Sequence, residues 1–228
     1  MNFIGVIVLL ISIVTLISCG KKDSLNKKFV SLESMPKKDE GLFKANILPL
    51  NLSLTSVSSG EIKIIWDTQM FLSESKVVGS DPGVKHLQFI MSSSECPSEE
   101  DDLNHDSVID MNELLTVSGD ILIPLDSDVS EQLNGIDYGP ISNEMGDYIY
   151  RRSSSRIDLL NDLTLPDPDF YDHVGKISEN DNLEFNKRVV VILGVSSDKE
   201  IPETVKSFWD LPVELSIPIG CGKFEESK

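Results

Sequence analysis

Between residues 44 and 219 the chain breaks into short apolar or alternating runs, most of them bounded by Gly, Pro, Asn, Asp or Ser, and none has room for a long helix. Residues 44–54 alternate through Ala45, Ile47, Leu48, Leu50, Leu52 and Leu54, and residues 61–66 place Ile62, Ile64 and Trp66 on one side. Residues 84–91, 121–125, 148–150, 188–195 and 213–219 are further strand candidates. Helical spacing is confined to Ser155–Leu163, with Ser155 as N-cap and Ile157, Leu160 and Leu163 three apart, and to a turn near Pro202–Phe208. Pro166-Asp167-Pro168-Asp169 reads as a rigid acidic turn. Many short strands with few helices predict a mainly β domain, a sandwich or a barrel.

Residues 102–113 read Asp-Leu-Asn-His-Asp-Ser-Val-Ile-Asp-Met-Asn-Glu. The run resembles an EF-hand or dockerin-type calcium loop. Ca2+ is a hard cation that takes several oxygen ligands. This spacing offers it Asp102, Asn104, Asp106, the Val108 carbonyl, Asp110 and a bidentate Glu113. The departure is Ser107 at the sixth position, where a positive φ favours Gly, so Ser costs about 1 kcal/mol and weakens the expected binding. The competing reading is a solvated acidic loop, since residues 95–113 hold eight carboxylates and no Lys or Arg. A merely acidic loop has no reason to place Ile109 and Glu113 in register, so Ca2+ is the cofactor expected.

The N-terminus sets the compartment. Residues 3–17 are almost wholly apolar and uncharged and run into Leu16-Ile17-Ser18-Cys19-Gly20, which resembles a bacterial lipoprotein signal peptide. The resemblance implies removal of residues 1–18 and lipid on Cys19, with Gly20 favouring the outer membrane. The apolar run falls short of the ~20 residues of a membrane-spanning helix, and two or three acyl chains anchor a protein stably. The first three residues carry no Lys or Arg, which leaves an uncleaved anchor as the alternative.

The net charge of −18 lies wholly beyond Ser18. Residues 19–40 hold six Lys against four acids and read as a mobile tether, so residues 41–228 carry −20 and form one domain. Nucleic acid is not an expected partner, because phosphate recognition needs a basic patch. With Cys19 assigned to lipid, Cys96 and Cys221 are left as a pair, most simply a disulfide in an oxidising compartment; two free buried thiols are the other reading.

The segments Val84–Met91 leading to Cys96, Lys187–Leu193 and Ile219-Gly-Cys-Gly222 are similar in order to the copper/zinc superoxide dismutase and CHRD-like group. The resemblance implies a Greek-key β-sandwich with Cys96 bonded to Cys221. Closer still, the run from Cys96 through the acidic loop, Ile123–Asp126, Pro166–Asp169, the Arg188 strand and Leu215–Gly222 resembles uncharacterised bacterial secreted proteins that insert a calcium-type loop after the first cysteine.

The departures from that group decide the chemistry. Its metal site uses about six His and an Asp, whereas this chain has only His86, His105 and His173. Gln88 to Met91 and Leu193 stand where imidazoles would, and neither Gln nor Leu replaces imidazole toward copper or zinc. His86 reads as a partly exposed, hydrogen-bonded strand residue, His105 as solvated, and His173 as a residue without a visible partner. No Gly-x-Ser-x-Gly, Gly-rich phosphate loop, His-Glu-x-x-His or Cys-x-x-Cys occurs. Arg151, Arg152 and Arg156 form the only basic cluster of the body, with Asp147 and Asp158 as its expected partners. Together these residues point to a calcium-binding, non-enzymatic lipoprotein of the outer membrane, attached through lipid on Cys19 and binding a protein or envelope component. The alternative is a metalloenzyme or metal carrier derived from the dismutase-like scaffold.

Overall fold

The structure, a computed structural model, describes residues 40–55, 57–130, 139–164, 173–178 and 182–227. The signal segment 1–18, Cys19, the tether through residue 39 and the Pro166–Asp169 turn lie outside the described residues. Among the described residues no helix is long and apolar enough to cross a membrane.

The fold is mainly β. Strands β1 (Gly41–Pro49), β2 (Ser59–Trp66), β3 (Met70–Val78), β4 (Leu87–Met91), β5 (Ile121–Pro124), β6 (Tyr148–Ser155), β7 (Val189–Leu193) and β8 (Pro218–Ser227) are joined by two short helices, α1 (Met111–Ser118) and α2 (Arg156–Thr164). The strands form one antiparallel sheet in the order β5-β4-β7-β8-β1-β2-β3-β6, curled into a half-barrel. Strand β8 holds the two halves together, pairing Val189–Val191 of β7 with Lys223–Cys221 and Leu42–Pro49 of β1 with Ser227–Gly220. Glycines permit this: a Cβ on Gly220 would lie 2.5 Å from the Ile47 side chain, and one on Gly222 2.6 Å from the Asn46 carbonyl oxygen.

The two halves differ in how they are covered. On β1, β2 and β3 buried and exposed residues alternate, because only the concave face is packed. Phe43, Ala45, Ile47, Ile62, Ile64, Trp66 and Phe71 point into the curl around Phe185, whose ring lies 5.3 Å from Phe43 and 6.0 Å from both Trp66 and Phe71. Strands β4 and β7 are buried at every position, because a second layer covers their convex face. There Leu87, Phe89, Met91, Val189, Val191 and Leu193 pack under Met111, Leu114 and Leu115 of α1, together with Ile109, Phe208 and Leu211. Each fully buried aliphatic or Phe side chain contributes about 1.5–3 kcal/mol, so this second layer is a large share of the core.

The two edges of the curled sheet meet through polar contacts. Tyr150 on β6 donates to the Asp126 carbonyl beyond β5 at 2.7 Å, and the His86 ring stacks on Tyr148 with centroids 5.0 Å apart. Arg156, buried at the start of α2, lies over the Trp66 ring at 4.4 Å and donates to the Asp67 carbonyl, fixing α2 to the β2–β3 turn.

The expected strands at 61–66, 121–125 and 188–195 are present as β2, β5 and β7, and the helix over 155–163 is α2, with Ser155 Oγ accepting from Asp158 N at 3.1 Å. The run 44–54 is a strand only to Pro49, since Asn51 adopts φ 51° and turns the chain. Residues 213–216 form a 3-10 turn ahead of β8.

Candidate functional site

The acidic loop comes after a 3-10 turn, Glu99–Asp101, and opens into α1. Its local order comes from carboxylates accepting the loop's own amides. Asp102 Oδ1 accepts from Asp106 N at 3.2 Å and Oδ2 from Ser107 N at 2.8 Å, while Asn104 Oδ1 accepts from Asp106 N at 2.9 Å. Asp106 Oδ1 accepts from Val108 N at 2.8 Å, and its other oxygen receives the Thr204 hydroxyl. Such side-chain-to-backbone bonds wind a chain tightly without a regular helix.

Asp110 caps α1, its Oδ1 accepting from Asn112 N and Glu113 N at 2.8 and 3.1 Å. Glu113 closes the capping box from Asp110 N through Oε2 at 3.0 Å, and through Oε1 it reaches back to Leu103 N at 2.8 Å. One carboxylate thus ties both ends of the loop. Ser107 has φ 69°, the left-handed conformation expected at the sixth position, and the neighbouring His105 has φ 58°.

The loop is fastened to the sheet by Asn51, a residue the sequence did not single out. Its Oδ1 accepts from Ile109 N at 2.7 Å, and its Nδ2 donates to the Ile109 carbonyl and the Pro218 carbonyl, both at 2.9 Å. Asn51 is buried, and these three bonds meet one acceptor and both donors of its amide. Beside it, Cys96 and Cys221 form a disulfide with Cα atoms 5.8 Å apart. The bridge joins the segment before the loop to β8.

Toward calcium the donor set fits in type and order: four carboxylates, one carboxamide and the Val108 carbonyl, all oxygen. The Asp102 oxygens each accept one amide and keep a lone pair for a cation. Glu113 Oε1 accepts from both Leu103 N and Asn104 N, and Asp110 Oδ1 from two amides, so a cation would displace some of these bonds. Among the described residues, however, no three His, Cys, Asp or Glu side chains converge as a ready-made metal group. The loop is wound by the hydrogen bonds above, and a cation held there would have to draw the carboxylates together against their mutual repulsion.

The three His residues are used separately. His86 is fully buried, contrary to the partly exposed position expected; its Nδ1 lies 3.2 Å from the Leu193 carbonyl and its Nε2 2.9 Å from Ser80 Oγ. Burial pushes its pKa down to about 4, against smaller upward contributions from the Leu193 carbonyl and Asp81. His105 is exposed on the loop, as expected. His173 does have partners: Nδ1 is 3.6 Å from Asp120 Oδ1, and the ring lies against Phe208. The Arg cluster also has partners other than those expected. Arg151 faces Glu74 at 3.9 Å, Arg152 lies over the Tyr150 ring, and Arg156 reaches Glu40 at 3.4 Å.

A cleft of about 630 Å³ opens between the end of β1 and the acidic loop. Leu48, Leu50, Leu52, Pro97, Ile109 and the disulfide line it, with Glu99 and Asp102 on one wall. A second, more polar cleft of about 320 Å³ lies between Ser92, Lys176, Asn182, Glu184 and Arg188. No protein-family model matches this chain, and no curated protein sequence matches it.

Proposed function

We propose that this chain is a calcium-stabilised, non-enzymatic lipoprotein of the cell envelope, carried on lipid at Cys19 and serving as a binding or structural module. The observation that carries the reading is the winding of residues 102–113: Ser107 sits at positive φ, Asp102 accepts two amides across the turn, and Glu113 ties both ends. Chelation by Asp102, Asn104, Asp106, Val108, Asp110 and Glu113 would replace repulsion among carboxylates with attraction to a common cation. The loop overlies the convex layer beside the disulfide, so the ion would stabilise the fold rather than switch it. The dismutase/CHRD-like Greek-key sandwich belongs to the same proposal; the Cys96–Cys221 bridge and the double covering of β4 and β7 support that scaffold.

Calorimetric titration of the mature protein tests the calcium reading. A single loop with Ser107 at the turn is expected to bind with Kd of about 10⁻⁵–10⁻³ M, with Ser107→Gly tighter and Glu113→Gln much weaker. Magnesium should bind less well, because it demands a smaller octahedral shell. Absence of calcium-dependent heat, with equal melting temperatures in calcium and in chelator, returns the segment to a solvated acidic loop. For the anchor, labelled fatty acid should enter the wild-type protein and not Cys19→Ser; equal membrane retention of an uncleaved Cys19→Ser precursor refutes lipidation.

A further inference from the structure

The layer over the convex face stops at a step between β8 and β1. Leu48 and Cys221 are cross-strand partners, yet Cys221 is 1% exposed and Leu48 is 69% exposed. The 630 Å³ cleft is that step, with the size of a ligand-binding site and a largely apolar floor of Leu50, Pro97, Ile109 and the disulfide. Leu48 and Leu52 stand exposed at its rim. Its floor is held in place by the three hydrogen bonds of Asn51, so the cleft is built before anything enters it.

The charges are one-sided. The cleft's charged lining residues are Glu99 and Asp102, and the wall they belong to, residues 95–113, carries eight carboxylates and no Lys or Arg. A cleft lined by one sign of charge concentrates ligands of the opposite sign and repels its own. Anionic lipid surfaces and nucleic acid are disfavoured by the same field.

We infer that this cleft docks an extended segment of a partner protein in which apolar side chains are flanked by Lys or Arg. The apolar residues replace water over Leu48, Leu50, Leu52 and Ile109, and the flanking cations face Glu99 and the acidic wall. The inference deepens the binding-module reading and rests on it, but it does not require calcium.

Fluorescence anisotropy with a labelled hexapeptide of alternating Leu and Lys, and its Leu-Glu counterpart, tests the inference on the mature protein in calcium and in chelator. The Leu-Lys peptide should bind saturably and more weakly at high salt, and the Leu-Glu peptide should not bind. Leu52→Ser and Glu99→Lys, both at exposed positions, should each weaken binding at least about fivefold. Glu144→Lys, which makes the same charge change on the loop before β6, and Ile149→Ser on β6 should leave binding unchanged. No saturable binding, equal binding of the Leu-Glu peptide, or equal losses in Glu99→Lys and Glu144→Lys overturns the inference. Peptide binding by a protein that takes no calcium leaves this inference standing and removes the calcium reading; calcium binding without peptide binding does the reverse.

Discussion

The β4–β7 half of the sheet and the β1–β2–β3 half solve burial differently, and their residues differ accordingly. Strand β7, Val189-Val-Val-Ile-Leu193, is apolar throughout because the curl covers one face and α1 with the acidic loop covers the other. Strand β2 alternates because its convex face is left to solvent, where Lys63 pairs with Glu61 at 2.7 Å and Ile65 is only partly covered. The acidic loop bears on the two halves unequally: Ile109 packs in the convex layer over β4 and β7, whereas Val108 joins the concave core and Asn51, just after β1, holds Ile109 by two hydrogen bonds. The loop's apolar Ile109 and the helix it caps form part of the lid over β4 and β7, so whatever organises the loop stabilises that half directly.

Cutting the bridge that pins the lid should have the largest effect on this contrast. Cys96→Ser with Cys221→Ser opens a link spanning 125 residues, and chain entropy sets an upper bound of about 4–5 kcal/mol for its stabilisation. Urea denaturation should show a loss of several kcal/mol, and an unchanged midpoint would show that the lid does not depend on the bridge.

Next is the seam where the sheet edges meet. His86 is neutral in the fold because burial holds its pKa at about 4, whereas the unfolded chain takes up the proton near its ordinary value of 6.5. Its contribution is therefore complete above about pH 6.5 and is lost as pH falls toward 4, roughly 2–3 kcal/mol between pH 7 and 4.5. Denaturation at the two pH values should show that loss, and His86→Gln should lower stability at pH 7 while reducing the pH-dependent part. An identical pH-dependent loss in His86→Gln would assign it to the carboxylates instead.

A smaller pair of effects sets the two convex faces side by side. Val191→Ala, beneath α1, should cost about 2–3 kcal/mol by loss of buried methyl groups, whereas Ile65→Ala on the uncovered face should cost well under about 1 kcal/mol. Equal costs would mean that the lid does not seal β7.

What the sequence disclosed and what it hid divide along the same line. Strands β2, β5 and β7 were legible because alternation or an unbroken apolar run reports burial directly. Strand β3 was not, because two of its four buried positions are Ser73 and Ser75, whose hydroxyls are buried without hydrogen-bond partners; polar residues facing inward erase the alternation. Strand β8 was read only to Ile219, since Gly220, Cys221 and Gly222 are chosen for close approach to β1 and carry no apolar period. Helix α1 is eight residues long and is set by its cap, Asp110, so it was hidden inside the reading of the loop. The positive φ at Ser107 was legible through the resemblance of residues 102–113 to a calcium-type loop, whose sixth position turns sharply. Asn51 could not be foreseen, because its worth lies in two bonds to a residue 58 positions away and in one to Pro218.

Whether an ion organises the lid can be read from native-state hydrogen exchange at the Ile109 amide, the donor that fastens the loop to Asn51. In wild-type protein, millimolar calcium should slow exchange at Ile109 relative to chelator, because an ion that binds the wound loop lowers the population of its open form by the factor 1 + [L]/Kd. Glu113→Gln should remove most of that slowing. Identical exchange at Ile109 in calcium and in chelator would mean that the loop is wound by its hydrogen bonds alone and that calcium does not stabilise the fold.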